Sequence, residues 1–285
     1  MNRIPVFFDP RLVSDVPVES PSAGKPRDVV REWLARYPIE LHGYAPATIV
    51  DLCRAHSPAF VQDILTMQVP NGMETDDVRF LDSLYWTTGS LLNAARHALS
   101  RGIAVSPTSG FHHAGYDYCW GFCTFNGLMI AAQSLLTKSN VQKIGILDFD
   151  QHRGDGTEDI VRRLNLDAQI THITGLANYP REKQAFLATL PQLLEALSAC
   201  DLIIYQAGAD QHENDPLGGF LSSAEMRYRD ARVFDFAKIQ GIPLVWNLAG
   251  GYQTAESDGT ISIQPVLDLH NATMEECVRI FQDNQ

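Results

Sequence analysis

Two acids and a histidine directly follow one apolar run of the sequence. Residues 144–147 predict a buried strand, and Asp148, Asp150 and His152 come next at alternate positions. Because side chains alternate across a strand, these three would share one face, with about 7 Å between neighbours. Asp150 and His152 could supply one oxygen and one nitrogen to a zinc ion, leaving room for a third protein ligand and an open position. Alternatively, the two acids cap a following helix and His152 is an ordinary loop residue.

Two adjacent histidines come after another predicted strand. Residues 102–105 are apolar, and His112 and His113 follow within a short loop. An imidazole can act as a general acid or base, so the pair is a candidate catalytic group. The pair could equally be metal ligands or surface loop residues.

Two later strands also end in polar residues. Residues 202–205 lead to Asp210, and residues 243–248 lead to Gly250, Gly251 and Tyr252. Asp210 stands in the same kind of place as Asp150, so it is the natural third metal ligand. The two glycines would let the backbone pass close to a site and present the tyrosine.

Strands and helices alternate from residue 102 onward, which predicts a mainly parallel sheet with helices on both faces. In such sheets ligands bind beyond the carboxyl ends of the strands, so the four groups of residues can converge. No repeat, low-complexity tract or linker is evident, which predicts a single domain over residues 1–285. Further helices are predicted over residues 29–37, 46–53, 83–99, 127–136, 223–240 and 274–281.

Composition limits the class of protein. The chain has 285 residues, 45% of them hydrophobic, which suffices for a sizeable core. A net charge of -12 argues against a nucleic-acid partner or an anionic membrane surface. No apolar run reaches the length of a membrane span and the N-terminus lacks the pattern of a signal peptide, so we expect a cytoplasmic protein. Five cysteines do not suggest a disulfide framework.

Together these residue types are those of a metal-assisted amide hydrolase. A metal held by two aspartates and a histidine would polarise a carbonyl and acidify a water molecule. An imidazole could take the proton from that water, and a tyrosine hydroxyl could hold the developing oxyanion. Asp148 and Asp155 are then left over, and each could orient one histidine of the pair by accepting its second ring proton.

The sequence resembles the histone deacetylase family, which also includes bacterial acetylpolyamine amidohydrolases and acetoin-utilisation proteins. The matching motifs occur in the family's order over roughly residues 25–255. They are Gly110-Phe111-His112-His113-Ala114, Gly121-Phe122-Cys123-Thr124-Phe125-Asn126, Asp148 through Thr157, Gly208-Ala209-Asp210, Asp215-Pro216-Leu217-Gly218 and Gly250-Gly251-Tyr252.

The resemblance implies an arginase-like three-layer α/β/α fold and a zinc-dependent deacylase acting on acyl-lysine in a protein or peptide, or on a small acylated amine. The ligand types also permit iron(II). The resemblance further implies a structural potassium site that includes Asp148, and it places Arg27 near an internal acetate-release cavity. The implied roles are zinc ligand for Asp150, His152 and Asp210; acid/base pair for His112 and His113, backed by Asp148 and Asp155; carbonyl polarisation for Tyr252; and channel wall for Gly121, Phe122, Leu217 and Tyr179.

The chain departs from the common family pattern around the channel. Thr108-Ser109-Gly110-Phe111 stands where many members have Pro-Pro-Gly, and Gly-Phe-His-His with Gly251-Tyr252-Gln253 is closer to the class IV branch. The chain also lacks a long insertion of the kind that narrows the entrance of polyamine deacetylases, which disfavours polyamine substrates. Two alternatives share the fold: an arginase-type ureohydrolase with two manganese ions, and a non-catalytic module that binds acyl-lysine.

Overall fold

A seven-stranded sheet forms the centre of the molecule. The computed structural model describes residues 3–138, 140–257 and 259–282. The strands of the sheet are β1 (Ile4–Phe7), β2 (Ile39–His42), β3 (Ile103–Ser106), β4 (Ile144–Asp148), β5 (Ile170–Thr174), β6 (Leu202–Gly208) and β7 (Leu244–Ala249). A separate antiparallel hairpin pairs β8 (Ala255–Ser257) with β9 (Thr260–Ser262).

The strands lie in the order β2-β1-β3-β7-β6-β4-β5, and every neighbouring pair is parallel. All seven carboxyl ends therefore meet at one edge of the sheet. In this register Leu147 of β4 stands opposite Tyr205 of β6, and Tyr205 stands opposite Trp246 of β7. The ends of β4, β6 and β7 are thus adjacent, which brings together chain segments about a hundred residues apart.

Helices cover both faces of the sheet. The helices are α1 (Lys25–Arg36), α2 (Ile49–Leu52), α3 (Pro58–Leu65), α4 (Val78–Arg101), α5 (Gly127–Lys138), α6 (Asp155–Arg163), α7 (Lys183–Glu195), α8 (Ser223–Gln240) and α9 (Gln264–Gln282). One apolar core packs α1, α7, α8 and α9 against the sheet, and a second core packs α3, α4, α5 and α6 against the opposite face. Along β4, Leu147 belongs to the first core and Ile146 to the second, as strand alternation requires.

The three-layer α/β/α fold is the one that the sequence predicts. Helix α8 begins and ends where its pattern indicates, because Ser222 and Glu225 form a reciprocal capping box before it and Gly241 adopts a left-handed conformation after it. The sequence analysis missed β2, the hairpin and the first ten residues of α9. It also made α2 too long, since that helix starts only after its cap at Thr48. Among the described residues, none of the helices has the length and apolar character needed to cross a membrane.

Candidate active site and metal centre

A carboxylate, an imidazole and a second carboxylate lie together beyond the carboxyl ends of β4 and β6. Asp150 follows the last residue of β4 by two positions, and Asp210 follows β6 by two positions. One potential ligand atom from each of Asp150, His152 and Asp210 lies within 4.8 Å of the other two. Nδ1 of His152 is 3.1 Å from Oδ1 of Asp150 and 3.2 Å from Oδ2 of Asp210.

The arrangement differs from the extended strand that the sequence predicts for residues 148–152. The strand ends at Asp148 and the chain then bends, so that His152 folds back toward Asp150. The backbone N–H of His152 donates to Oδ1 of Asp150 at 2.9 Å, and the N–H of Gln151 donates to Oδ1 of Asp210 at 3.1 Å. These bonds orient the carboxylates of both aspartates, which is why three groups converge instead of lying in a line.

Two observations test whether these residues suit a metal ion. Oδ2 of Asp210 is buried and makes no hydrogen bond of good geometry among the described residues, although Nδ1 of His152 lies 3.2 Å away. Burial, together with the charge of Asp150, raises the pKa of Asp210 to about 8. The hydrogen bonds to Asp150 and Asp210 raise the pKa of His152 to about 10. Two buried carboxylates this close to each other favour a bound cation. Two oxygen ligands and one nitrogen ligand suit a zinc ion that keeps one coordination position open. The triad therefore fits the metal that the sequence analysis expects.

His112 belongs to a fully buried pair. Its Nδ1 lies 2.8 Å from Oδ2 of Asp148, a carboxylate with no exposed surface. The other carboxylate oxygen of Asp148 accepts a hydrogen bond of 2.8 Å from Nε2 of Gln206. Oγ1 of Thr174 lies 3.3 Å from Oδ2 of Asp148. Burial opposes a charged imidazole, but the carboxylates of Asp148 and Asp150 raise the pKa of His112 to about 9. His112 is thereby held in its protonated form.

His113 belongs to a second, more exposed pair. Its Nδ1 lies 2.5 Å from Oδ1 of Asp155, which begins α6, and Nε1 of Trp120 donates to the other oxygen at 3.0 Å. The rings of His113 and Trp120 are 4.2 Å apart, and those of His112 and His113 are 4.1 Å apart. Burial and the adjacent His112 lower the pKa of His113, although Asp155 opposes this. The two histidines therefore have pKa values shifted in opposite directions.

Tyr252 faces this group from the end of β7. Asp215 fixes its backbone, since the N–H of Tyr252 donates to Oδ2 of Asp215 at 2.8 Å. Burial near Asp150 and Asp210 raises the pKa of the Tyr252 hydroxyl, so the group stays a proton donor. The preceding Gly250 is required, because a Cβ there would lie 2.2 Å from the carboxyl carbon of Asp210.

A buried lysine supports the same turn. Lys25, at the start of α1, has 1% of its surface exposed, and its Nζ donates to the carbonyl oxygen of Gly250 at 2.5 Å. Burial lowers its pKa to about 8, although Asp210, Asp150 and Asp215 favour the charged form. Lys25 thus couples α1 to the turn that carries Tyr252.

One cavity is lined by most of these groups. Gly121 and Phe122 form part of its wall, and the rings of Phe122 and Tyr252 are 5.9 Å apart. We call this space the catalytic cavity. It is lined by Ser22, Gly110, His112, His113, Gly121, Phe122, Cys123, Asp150, His152, Gln206, Ala249, Gly250 and Tyr252.

Two residues lie elsewhere than predicted. Tyr179 is not a channel wall: it is buried against Phe149, and its hydroxyl donates to the carbonyl oxygens of Asp148 and Asp150. Leu217 is 46% exposed, and its backbone N–H donates to Oδ1 of Asp215; its place in a channel wall stays a prediction. Arg27 is on the surface, paired with the exposed Asp15, so it cannot reach an internal cavity.

The sequence analysis also missed three residues that support the site. Lys25 is a buried cation two positions before Arg27, and the sequence analysis gave it no role. Asp215 stood within a recognised turn, but its bond to Tyr252 joins residues 37 positions apart. Trp120 precedes the Gly121-Phe122 motif, and that adjacency was the only sequence signal for its contact with Asp155.

The fold and the site define a class of α/β proteins with a candidate metal triad beside two histidine–aspartate pairs, at the carboxyl end of a parallel sheet. A family model described as the histone deacetylase domain matches residues 28–186 and 165–263. The chain therefore belongs to the histone deacetylase family.

Curated relatives come from three kinds of organism. The chain is 28% identical over 195 residues to histone deacetylase 2 of Arabidopsis thaliana, covering 59% of this chain and 49% of that protein. It is 29% identical to the acetylpolyamine amidohydrolase of Mycoplana ramosa, covering 59% and 56% of the two chains. It is 30% identical to a probable deacetylase of Methanothermobacter thermautotrophicus, covering 58% of each. The chain thus spans about half the length of the curated relatives it matches.

Proposed function

We propose that the protein is a zinc-dependent amidohydrolase that removes an acetyl or other acyl group from the amine of lysine or a related amine, within a single catalytic domain. The observation that carries this proposal is the convergence of the metal triad, the histidine pair and Tyr252 on one cavity. Two relatives, a histone deacetylase and an acetylpolyamine amidohydrolase, support the reaction class.

The metal would be held by Asp150, His152 and Asp210. Bound there, zinc supplies Lewis-acid polarisation of the substrate carbonyl and acidifies a water molecule. The protein's part is to keep one coordination position open toward the catalytic cavity and to exclude bulk water from the buried carboxylates. Iron(II) would suit the same ligands.

His113 is the general base in this proposal. Its lowered pKa keeps the ring neutral near pH 7, and Asp155 fixes Nδ1 so that Nε2 is free to accept the proton of the attacking water. His112 is kept protonated by Asp148, which suits a group that stabilises negative charge or gives a proton to the leaving amine.

Tyr252 completes the reaction geometry. Its hydroxyl is a donor with a raised pKa, and it would donate to the oxygen that becomes negatively charged when the carbonyl is attacked. Asp215 and Lys25 act on it through the backbone, by fixing the turn from Gly250 to Tyr252. They are positioning residues.

A monovalent cation such as potassium belongs to the proposal as a structural ion. The Tyr179 hydroxyl lies 3.4 and 3.2 Å from the carbonyl oxygens of Asp148 and Asp150, and Thr174 lies against the carboxylate of Asp148. Carbonyl, hydroxyl and carboxylate oxygens of this kind are the ligands that would hold such an ion. Its role would be to hold the segment from Asp148 to His152.

The proposal is tested by hydrolysis of fluorogenic lysine amides and acetylpolyamines by zinc-loaded protein, with and without a chelator. Turnover that the chelator and a hydroxamate both suppress is the expected result. One metal per active chain would separate this reaction from that of a two-manganese ureohydrolase. Tight binding of acyl-lysine peptides with no turnover of any substrate would instead favour a binding module.

A further inference from the structure

Helix α8 carries a fully buried arginine, Arg229. Its Nε donates to Oδ1 of Asp230 at 2.8 Å, and the hydroxyl of Tyr205 donates to the same oxygen. Oδ2 of Asp230 accepts a hydrogen bond of 2.6 Å from Oγ1 of Thr273. A buried ion pair usually adds little net stability, because both charges lose their hydration. Stability alone therefore does not account for an arginine at this position.

A second nitrogen of the guanidinium holds the chain on both sides of Asp210. Nη1 of Arg229 donates to the carbonyl oxygen of Gly208 at 2.9 Å and to Oε1 of Gln211 at 2.7 Å. Gly208 is the last residue of β6, and Gln211 directly follows Asp210. Arg229 is thus bonded to the residues that flank one of the three candidate metal ligands.

Gln211 extends these contacts to the segment that carries Asp150. Its Nε2 donates to the hydroxyl of Tyr179 at 2.9 Å. The Tyr179 hydroxyl in turn donates to the carbonyl oxygens of Asp148 and Asp150, which are 3.4 and 3.2 Å away. We call Arg229, Gln211 and Tyr179 the supporting network. It joins the segment after β6 to the segment after β4.

The two segments that the supporting network joins also press against each other. A Cβ at Gly208 would lie 2.2 Å from the carbonyl oxygen of Phe149 and 2.6 Å from the Cα of Asp150. At such close contact, a small shift of either segment changes the distance between Asp150 and Asp210. Because the supporting network is bonded to both segments, it opposes such a shift.

The charge of Arg229 is compensated. A lone buried cation would repel a metal ion bound nearby. Asp230 places the opposite charge 2.8 Å from Nε, so the pair as a whole is neutral. An arginine also offers several donors in one rigid plane, which lets a single side chain bond Asp230, Gly208 and Gln211 together.

We infer that Arg229 is a positioning residue of the metal centre, which fixes the spacing of Asp150 and Asp210 through Gln211 and Tyr179. The inference rests on the proposed metal-dependent hydrolysis and explains how two ligands of that site are held. The supporting network acts through these ligands, since its members are not among the residues that line the catalytic cavity. Partners that orient metal ligands typically contribute about 10- to 100-fold to metal affinity.

The test measures the zinc dissociation constant of the full chain by competition with a chelator, in saturating potassium chloride. The urea midpoint of the same metal-free preparations is measured in parallel. Gln211→Met removes both bonds of the central member at similar volume and should weaken zinc binding about tenfold. Tyr179→Phe should weaken it by a similar factor. The double variant should stay within about twofold of the weaker single variant, because both changes break one series of bonds.

Two controls separate positioning from general destabilisation. Arg227→Met removes another arginine of α8, which pairs with Glu275 and Glu276 at the surface, and should leave zinc affinity within about twofold of the wild type. Thr273→Val removes a buried hydrogen bond to Asp230. It should lower the urea midpoint and yet leave zinc affinity within about twofold of the wild type.

Three results would overturn the inference: wild-type zinc affinity in Gln211→Met, additive losses in the double variant, or an affinity that falls with the urea midpoint in Thr273→Val. Each would leave the proposed hydrolysis intact if the zinc-loaded wild type hydrolyses an acetyl-lysine amide. The predicted affinities without any such hydrolysis would support the inference and contradict the proposed function. A wild-type chain that binds no zinc would overturn both.

Discussion

The two histidine–aspartate pairs use the same side chains in unlike surroundings. His112 and Asp148 are enclosed by the ends of β4, β5 and β6, where Gln206 and Thr174 also contact the carboxylate. His113 and Asp155 lie nearer the surface, where 36% of the Asp155 side chain is exposed and Trp120 supplies the remaining donor. The pKa of His112 is raised and that of His113 is lowered. Two neighbouring imidazoles thereby become suited to opposite proton-transfer roles, as burial and nearby charge dictate.

The largest effect on activity is expected from removing His113, the neutral histidine of the two. His113→Ala should reduce kcat by about a thousandfold or more, because no other described imidazole is placed to accept the proton. Metal content should be unchanged, since His113 is outside the triad of Asp150, His152 and Asp210. Rates and zinc content measured on the same preparation check this. Loss of zinc together with activity would assign His113 to metal binding instead.

Activity and stability should depend more on the carboxylate of the buried His112–Asp148 pair than on that of the exposed His113–Asp155 pair. Asp148→Asn should lower kcat about a hundredfold and destabilise the protein by about 3 kcal/mol, because a buried charged network loses its centre. Denaturant unfolding and steady-state rates measure both effects. Wild-type stability would show that Gln206 and Thr174 rearrange around the amide, and would remove the distinction between the pairs.

Asp155→Asn should be milder and should alter pH dependence. The carboxylate of Asp155 opposes the lowering of the His113 pKa, so its removal should lower that pKa further. Because the base must be neutral, the acid limb of kcat/KM should move to lower pH, while the maximal rate falls about tenfold. Unfolding free energy should change by less than about 1 kcal/mol. A shift of the acid limb to higher pH would contradict the assignment of that limb to His113.

The smallest effect is expected at Trp120. Trp120→Phe removes the donor to Asp155 but keeps a ring that can stack on His113. The expected loss in kcat/KM is only about two- to fivefold, because the lost bond acts on His113 through Asp155, which keeps its own contact with Nδ1 of His113. Trp120→Ala, which also removes the ring, serves as the comparison and should cost more. Equal losses in the two variants would mean that stacking contributes nothing.

Residues at strand ends were predictable because two local rules locate them. Apolar runs reveal buried strands, and a parallel sheet brings their carboxyl ends together, so Asp150, His152 and Asp210 could be grouped from the sequence alone. The same rules placed His112, His113 and Tyr252 near them. The sharp bend after Asp148 was not predictable, since it follows from hydrogen bonds to carboxylates that only the folded chain brings close.

Supporting residues escaped prediction for a related reason. Lys25 bonds to Gly250 across 225 positions, and nothing in the local pattern around Lys25 distinguishes it from a surface lysine. Tyr179 looked like a channel residue but fills the core beneath the site, because its loop turns inward after β5. β2 was missed because only Ile39 of its four residues is buried. Contacts of this kind depend on tertiary packing that residue periodicity does not encode.

The most direct test of the account is a zinc titration of chelator-treated protein, followed by hydrolysis of an acetyl-lysine amide. The triad of Asp150, His152 and Asp210 predicts a rate that starts near zero, rises with added zinc and saturates at one zinc per chain. Zinc bound at that stoichiometry by the wild type should be lost in Asp210→Asn. Full activity without metal, or saturation only at two ions per chain, would contradict the one-metal amidohydrolase.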